Sequence, residues 1–210
     1  DYIGIRTFDA DGNVTGERRF LGMFTSVAYA SSVTTLPLVA AKVRAVLDAS
    51  GFSPTSHSGK DLLQILEQYP RDELFQDNPR HLLEVASQAR QLIQRRRARV
   101  FLRKDEFGRF VSALVFLPRD RYNTTVRLRI HALLQEVFGA AQVDHTTRVG
   151  ESPLAQLHFM LRMPKGASVP DVDEAWLQVR LEEVIRSWDQ ALVDAVHAVH
   201  DEESSAMLLS

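Results

Sequence analysis

The stretch "ARVFLRKDEFGRFVSALVFLP", residues 98–118, decides the fold. It holds two runs rich in Val, Phe and Leu with Arg and Lys interspersed, and the segment EFG, residues 106–108, joins them. A period of two with branched and aromatic side chains is typical of β-strands, and a short connection that contains Gly joins neighbouring strands in a hairpin. The stretch therefore predicts an antiparallel hairpin with basic residues in both strands.

A helix and two further strands follow this hairpin. Apolar residues within 126–137 recur at helical spacing, with Asn123 or Thr124 as the N-cap and Gly139 as the end. Strand-like runs then lie around residues 141–149 and in "LAQLHFMLRM". This half of the chain is close to a ferredoxin-like arrangement of strands and helices.

The residues before the hairpin begin with a second hairpin and continue as helices. Residues 2–25 flank the turn DADGN, in which Gly12 suits a positive φ. Three helices are predicted next: one ends at Gly51, one begins at Ser58 with Asp61 in a capping box, and one starts near Pro79. The complete order is ββααα-ββ-α-ββ-α, which is an α+β fold with a mostly antiparallel sheet, helices on one face and a long C-terminal helix.

The pattern predicts three parts. Residues 1–79 form an N-terminal hairpin and helical part, and residues 80–165 form a sheet and helix part that could share one sheet with residues 1–25. "MPKGASVPD" reads as a linker to a connecting helix over residues 171–201. Its apolar stripe either packs on this domain or docks on an adjacent region of the chain or a partner subunit, and the predicted interface residues are Leu177, Leu181, Val184 and Trp188.

Composition excludes several classes of protein. The 210 residues include no cysteine, which excludes disulfides, thiolate metal sites and thiol nucleophiles and suits the cytoplasm. No apolar run is long enough to span a membrane, and the N-terminus lacks the features of a signal peptide. The chain starts at Asp rather than Met, so we interpret it as a segment of a longer protein.

Charge is distributed unevenly along the chain. Residues 90–129 hold twelve Arg and Lys against three acids, a net charge of +9, and the remaining residues hold thirteen bases and twenty-four acids, a net charge of −11. Such a split indicates an anion-binding face, a basic face docked against an acidic one, or simply solvated surfaces.

Several chemical motifs are incomplete. "SHSGKD" resembles a phosphate-binding loop, but Gly51 lies too far from Gly59 and Asp61 stands where Ser or Thr would hold magnesium. "DADGN" does not fit a calcium loop, and no third ligand accompanies His197 and His200, so no metal site is predicted. No GxG occurs, which leaves the chain without a dinucleotide fingerprint. No catalytic residue is predicted in this segment.

Four motifs occur in order along residues 14–165: "FLGMFTSVAY", "GFSPTSHSGKDLLQILEQYPRDELFQ", "RRRARVFLRKDEFGRFVSALVFLPRDRYNT" and "GESPLAQLHFMLR". Together they resemble the N-terminal regulatory region of the large bacterial NAD-dependent glutamate dehydrogenases. The resemblance implies ACT-like modules that bind small effectors such as amino acids and contact other subunits of a homo-oligomer. It also implies a catalytic domain elsewhere in the same chain that uses NAD to convert glutamate to 2-oxoglutarate.

An amino-acid effector needs a cation for its carboxylate and acceptors for its ammonium. "PRDRYNT", residues 118–124, offers these groups between a strand and a helix. The candidate effector-binding residues are Arg119 or Arg121 for the carboxylate, Asp120 for the ammonium, and the Asn123 and Thr124 amides. The structural alternative is that Arg119 and Asp120 only cap and tie the loop.

Two other functions stay open. Basic residues beside Phe101, Phe110 and Phe116 could form a nucleic-acid-binding sheet, since RNA-binding sheets combine exposed aromatic and basic side chains. The chain could also be a free-standing sensor domain. Apolar strand residues usually belong to a core, and the acidic remainder of the chain disfavours nucleic acid.

Overall fold

The computed structural model describes residues 2–186, which divide along the chain into two compact units after Ala86. The first holds a hairpin and helices: β1 (Tyr2–Phe8), β2 (Val14–Leu21), α1 (Ser26–Ala30), α2 (Val39–Ser50), α3 (His57–Gln68), α4 (Arg71–Gln76) and the start of α5 (Pro79–Arg95). The second holds the rest of α5 and β3 (Arg99–Lys104), β4 (Phe110–Pro118), α6 (Thr124–Phe138), β5 (Gln142–Arg148), β6 (Leu154–Arg162) and α7 (Glu174–Ile185). The predicted α+β class and element order are confirmed.

The second unit is built on a four-stranded antiparallel sheet in the order β3-β4-β6-β5. This is the strand order of a ferredoxin-like fold in which β3 fills the place of the strand that would follow α7. The hairpin with β4 places β3 at this edge, and Gln178 of α7 binds its outer side: the Gln178 amide accepts from the Val100 N–H at 3.1 Å and donates to the Ala98 carbonyl at 2.8 Å.

The core of this unit lies between one face of the sheet and the helices α6 and α7, as the prediction of helices on one face required. Alternate residues of the central strands point into it, as the period of two demands. The buried core side chains of these strands are Val111, Ala113, Val115 and Leu117 in β4 and Ala155, Leu157, Phe159 and Leu161 in β6. The helices add Ile130 and Leu134 from α6 and Leu177 and Leu181 from α7.

The register brings two connections to the same end of the sheet. Pro118, the last residue of β4, is opposite Leu154, the first residue of β6. The chain that leaves β4 for α6 therefore lies beside the loop that enters β6, which places residues 119–124 next to residues 149–153.

In the first unit the helices form where the apolar stripes predict them. Val39, Val43 and Val46 are buried along α2, which ends at Gly51 with φ 70°. The helix α3 begins two residues earlier than predicted: its N-cap is Ser56, whose hydroxyl accepts from the Gly59 N–H at 3.1 Å, so the proposed cap at Ser58 is wrong. The reason is that the Ser56 backbone is extended while Ser58 is already helical.

The first unit contains five helices where three were predicted. The two additional helices, α1 and α4, are five and six residues long, which is too short to show a helical period. The helix α4 begins after Pro70 and has Asp72 and Glu73 in its first turn, as expected for acids near a helix N-terminus.

The N-terminal hairpin is confirmed, and its turn is held by Asp9, whose carboxylate accepts from the Asp11 and Asn13 N–H groups at 3.0 and 2.8 Å. Within residues 2–186 it forms a two-stranded sheet of its own. The expectation that residues 1–25 share the larger sheet is not met, because β3 occupies the place of the strand that the hairpin was expected to supply. The structure divides the chain within α5, after Ala86. The predicted division between residues 79 and 80 remains a prediction.

The predicted linker, residues 163–171, contains neither helix nor strand, and α7 starts after Asp173, whose side chain accepts from the Ala175 and Trp176 N–H groups. The predictions for Trp188, for a helix that continues to residue 201 and for the two C-terminal histidines lie outside the described residues. None of the helices described in residues 2–186 combines the length and the apolar character that crossing a membrane requires.

Candidate functional site

The candidate site is the junction between β4 and α6, residues 118–124. Here β4 ends at Pro118, the residues Arg119–Arg121 form one turn of 3-10 helix, and α6 begins after Asn123. All five predicted effector-binding residues lie on this junction. They are close together because they are neighbours in sequence, so their proximity alone does not define a binding site.

Arg119 fixes the junction to the loop before β6. Its Nη1 donates to the Gly150 carbonyl at 2.7 Å, and its backbone N–H donates to the Pro153 carbonyl at 2.9 Å. Two bonds from one residue to one loop are the geometry of a structural tie. Arg119 therefore has the role that the structural alternative gave it.

Asp120 forms an ion pair with Arg96, with 2.8 Å between the carboxylate Oδ2 and Nη2. Both side chains are more than 60% exposed, so solvent screens the pair and its contribution to stability is about 0–1 kcal/mol. A weakly held carboxylate at the surface can exchange one cationic partner for another. Asp120 is thus accessible to a ligand ammonium group, which would replace Arg96 as its partner.

Asn123 is the N-cap of α6, as one of the two alternatives predicted. Its side-chain oxygen accepts from the Val126 N–H at 2.8 Å, so this side chain serves the helix. Thr124 follows as the first helical residue and is exposed, and Arg121 is half-buried beside it. Within residues 2–186 no hydrogen bond or ion pair of the Arg121 side chain is formed, which leaves its guanidinium as the available cation of the junction.

A second carboxylate of the basic stretch is held tightly. Asp105, at the turn between β3 and β4, accepts from the Nε and Nη2 of Arg109 at 2.9 and 3.1 Å and from its backbone N–H. The side-chain hydrogen bonds from Arg109 hold the pKa of Asp105 below its usual value. This pair closes the turn, in which Gly108 adopts φ 65°, and is structural.

Two of the three aromatic side chains proposed for nucleic-acid stacking are buried, and the third is half-buried beneath an arginine. Phe101 and Phe116 are 8% and 6% exposed and pack edge to face with 6.0 Å between ring centroids. Phe110 is half-buried, with the Arg103 guanidinium 5.6 Å from its ring centroid. Stacking of bases requires open rings, so the geometry does not favour the nucleic-acid alternative.

A buried polar pair that was not predicted from the sequence lies on the other face of the central strands. Ser112 of β4 and His158 of β6 are 2% and 8% exposed, and the serine Oγ lies 2.9 Å from the histidine Nε2. Gln156, two residues before His158, is 7% exposed on the same face. The alternation Gln-Leu-His-Phe in β6 was the available signal, because it puts both polar residues on one face of a strand.

The predicted interface residues of α7 belong to the core of the second unit. Leu177 and Leu181 are fully buried, and Val184 packs against the same core. The exposed apolar side chains of this helix are instead Trp176 and Val179. The burial of Leu177, Leu181 and Val184 favours packing on their own domain over docking on another region or subunit. An interface role for these residues remains a prediction. Among residues 2–186 no three His, Asp or Glu side chains are grouped to hold a metal ion.

The second unit is an α+β domain with the strand order of a ferredoxin-like fold. Comparison with known families agrees with this class. The ACT2 domain of glutamate dehydrogenase matches residues 99–189, and helical motif 1 of glutamate dehydrogenase matches residues 36–95. The chain therefore belongs to the glutamate dehydrogenase family and carries these two of its parts, as the four motifs indicated.

Three relatives are named NAD-specific glutamate dehydrogenase. The chain is 44% identical over 210 residues to that of Halomonas elongata, which covers all of this chain and 13% of the relative. It is 41% identical over 188 residues to that of Pseudomonas aeruginosa and 38% identical over 207 residues to that of Mycobacterium tuberculosis, with 90% and 93% of this chain covered. The chain thus spans only about an eighth of the length of these relatives.

Proposed function

We propose that this chain is a non-catalytic regulatory and assembly module of a NAD-dependent glutamate dehydrogenase. The observation that carries the proposal is the order of the two matched parts, the helical motif in residues 36–95 and the ACT2 domain in residues 99–189. The reaction that we assign to the whole protein is the conversion of L-glutamate, NAD and water to 2-oxoglutarate, ammonia and NADH. NAD and the catalytic groups belong to another domain of the same chain, with the whole protein in the cytoplasm.

The junction between β4 and α6 is the site that we assign to an amino-acid effector. Arg121 supplies the cation for the effector carboxylate, assisted by the backbone N–H groups of Thr124 and Thr125 in the first turn of α6. Asp120, at the surface, takes the effector ammonium in exchange for Arg96. Arg119 and Asn123 hold the junction in shape through their bonds to Gly150 and Val126.

Assembly is the second role of the module. Trp176 and Val179 of α7 are 48% and 56% exposed, and both are large apolar side chains on one helix. Aromatic side chains are enriched where protein surfaces meet, which supports contacts of this helix with the catalytic domain or with another subunit of a homo-oligomer.

The test of the effector site uses the full-length enzyme and its glutamate-dependent formation of NADH. Activity is measured with each of the common amino acids added in turn, for the unaltered enzyme and for Arg121→Ala and Arg129→Ala. Arg129 is an exposed arginine of α6 beyond the junction and serves as the matched control. We expect at least one amino acid to change the activity, and we expect Arg121→Ala to lose this response by about tenfold in affinity, as a lost charge-assisted bond implies.

Two results would contradict this assignment. If no amino acid alters the activity or gives heat on titration, the junction is only a scaffold. If Arg121→Ala and Arg129→Ala respond like the unaltered enzyme, the effector binds elsewhere. A full-length protein that forms no NADH from glutamate would overturn the assigned reaction itself.

A further inference from the structure

The chain passes from the helical motif to the ACT2 domain through three residues, Arg96 to Ala98. The matched helical motif ends at residue 95, which is the last residue of α5, and the matched ACT2 domain begins at residue 99, which is the first residue of β3. A connection this short has little slack, so the contacts that hold it also fix the way in which β3 follows α5.

Hydrogen bonds to three different elements hold this connection. The Arg96 N–H donates to the Leu92 carbonyl of α5 at 2.8 Å, and Gln178 of α7 donates to the Ala98 carbonyl at 2.8 Å. The Arg96 side chain donates from Nη2 to the Asp120 carboxylate, also at 2.8 Å. This last bond differs from the other two because its acceptor is a residue of the proposed effector site.

The backbone of Arg96 is held in an unfavourable conformation. Its φ is 49°, in the left-handed region, which a residue with a Cβ atom adopts at a cost in free energy. Such a residue stays there only while its surroundings hold it. The pair with Asp120 is a weak part of this support, since both side chains are more than 60% exposed and solvent screens their charges. Arg96 therefore has two accessible states, one paired with Asp120 and one released.

We propose that Arg96 couples the effector site to the connection between the helical motif and the ACT2 domain, an inference that rests on the proposed function. An effector ammonium group and the Arg96 guanidinium compete for the same carboxylate, that of Asp120. The effector therefore binds the released state more tightly, and a ligand shifts an equilibrium by its difference in affinity for the two states. Binding at the junction thus loosens residues 96–98, and Arg96 acts as a positioning residue.

Hydrogen–deuterium exchange in the full-length enzyme tests the coupling without any effector. Asp120→Ala removes the partner of Arg96, and Asp171→Ala is the matched control, because Asp171 is also exposed and pairs with Lys104 at 3.0 Å. We expect Asp120→Ala to speed exchange of the backbone N–H groups in residues 92–98 by about two- to fivefold, the range that an exposed ion pair supports. Asp171→Ala should leave these groups unchanged. Equal rates in Asp120→Ala and the unaltered enzyme would overturn the coupling without affecting the proposed site.

The same measurement with each of the common amino acids added in turn separates the coupling from the proposed function. An amino acid that binds at the junction should slow exchange in residues 119–126 and speed exchange in residues 92–98 of the unaltered enzyme. Slower exchange at the junction with no change in residues 92–98 would overturn the coupling, whereas the proposed site would stand. If no amino acid changes either segment, the proposed effector site fails and the coupling fails with it.

Competition for Asp120 also predicts a change in affinity, because coupling in binding is reciprocal. Arg96→Gly removes the competing guanidinium and supplies a residue that suits the positive φ, and Arg97→Gly is the control at an exposed neighbour. The amino acid that slows exchange at the junction should reach half of its effect at a concentration about two- to fivefold lower in Arg96→Gly than in Arg97→Gly. An equal or higher concentration for Arg96→Gly would contradict the competition.

Discussion

Ser112 and His158 form a buried hydrogen bond between the two central strands of the sheet, 2.9 Å long, on the face away from α6 and α7. A histidine next to a serine can act as the general base that activates a serine nucleophile. Here both residues are at least 92% buried, so no substrate reaches the hydroxyl. A buried polar pair of this kind stabilises the fold because each group satisfies the other. We therefore assign the pair a structural role.

This role predicts a defined loss of stability. Ser112→Ala removes the hydroxyl that is hydrogen-bonded to the His158 Nε2, so we expect the free energy of unfolding to fall by about 1–3 kcal/mol. Gln135→Ala, at an exposed position of α6 on the other side of the sheet, should change it by no more than about 0.5 kcal/mol. Urea denaturation of residues 1–210 measures both values. Equal effects of the two changes would argue against the structural assignment.

Protonation of His145 in β5 is expected to make the stability of the fold depend on pH. Desolvation, followed by the charges of Arg127 and His131, lowers the pKa of His145, and only Asp144 opposes this shift. Arg127 of α6 places its Nη1 3.1 Å from the His145 Nε2, which suits a neutral imidazole that accepts a hydrogen bond. The folded state therefore resists protonation of His145 more than the unfolded state does.

The sign of the effect follows from this order of pKa values. In the unfolded chain His145 takes up a proton near pH 6.5, whereas in the folded chain it does so only at lower pH. Protonation therefore favours the unfolded state, and stability falls as the pH decreases below about 6.5. We expect His145→Gln to reduce the difference in melting temperature between pH 7.5 and pH 5. The change is small because the side chain is exposed. A larger pH dependence in the variant than in the unaltered chain would contradict this account.

At the level of secondary-structure elements, Gly59 explains why the motif SHSGKD is not a phosphate-binding loop. The apparent phosphate loop around Gly59 is the first turn of α3, packed against the preceding chain: a Cβ at this position would lie 2.2 Å from the Ser53 carbonyl oxygen. The glycine is required by this close approach of two backbone segments. A backbone atom cannot move aside as the end of a flexible side chain can.

Substitution of Gly59 tests this explanation. Alanine favours a helix over glycine by about 1 kcal/mol, so helix propensity alone predicts that Gly59→Ala stabilises the chain. We expect the reverse, a loss of about 1–3 kcal/mol, because the new methyl group forces α3 away from Ser53. Gly22→Ala is the control, since its Cβ would meet no atom within 4 Å. Thermal unfolding of the two variants should move in the stated order, and a stabilised Gly59→Ala would contradict the packing argument.

Elements with several periods of side chains were predictable from the sequence, and shorter or non-local features were not. The runs rich in branched and aromatic residues in β4 and β6 and the apolar stripe of α6 identified these elements because they are nine, nine and fifteen residues long. In contrast, the choice between Ser56 and Ser58 as a cap depends on one backbone torsion. The contact of Gln178 with the edge of β3 joins residues that lie 78 positions apart, which no local pattern indicates.

At the scale of the whole molecule, the candidate site was found in sequence only because its members are contiguous. The contacts that decide its chemistry come from distant residues: Arg119 binds Gly150, 31 positions away, and Asp120 binds Arg96, 24 positions away. These partners follow from the strand order β3-β4-β6-β5, which periodicity alone does not determine. The tie from Arg119 and the cap from Asn123 leave Arg121 as the residue on which the proposed effector binding depends.

The structure that holds this junction in place is the core of the second unit, and α6 offers a matched test of it. Leu134 is fully buried between the sheet and α7, whereas Leu128, on the same helix, is 52% exposed. We expect Leu134→Ala to lower the free energy of unfolding by about 2–5 kcal/mol, because it removes buried methyl groups and leaves a cavity. Leu128→Ala should change it by no more than about 0.5 kcal/mol, since alanine suits an exposed helical position. Urea denaturation followed by circular dichroism measures both, and similar values would mean that α6 does not cover the sheet as described.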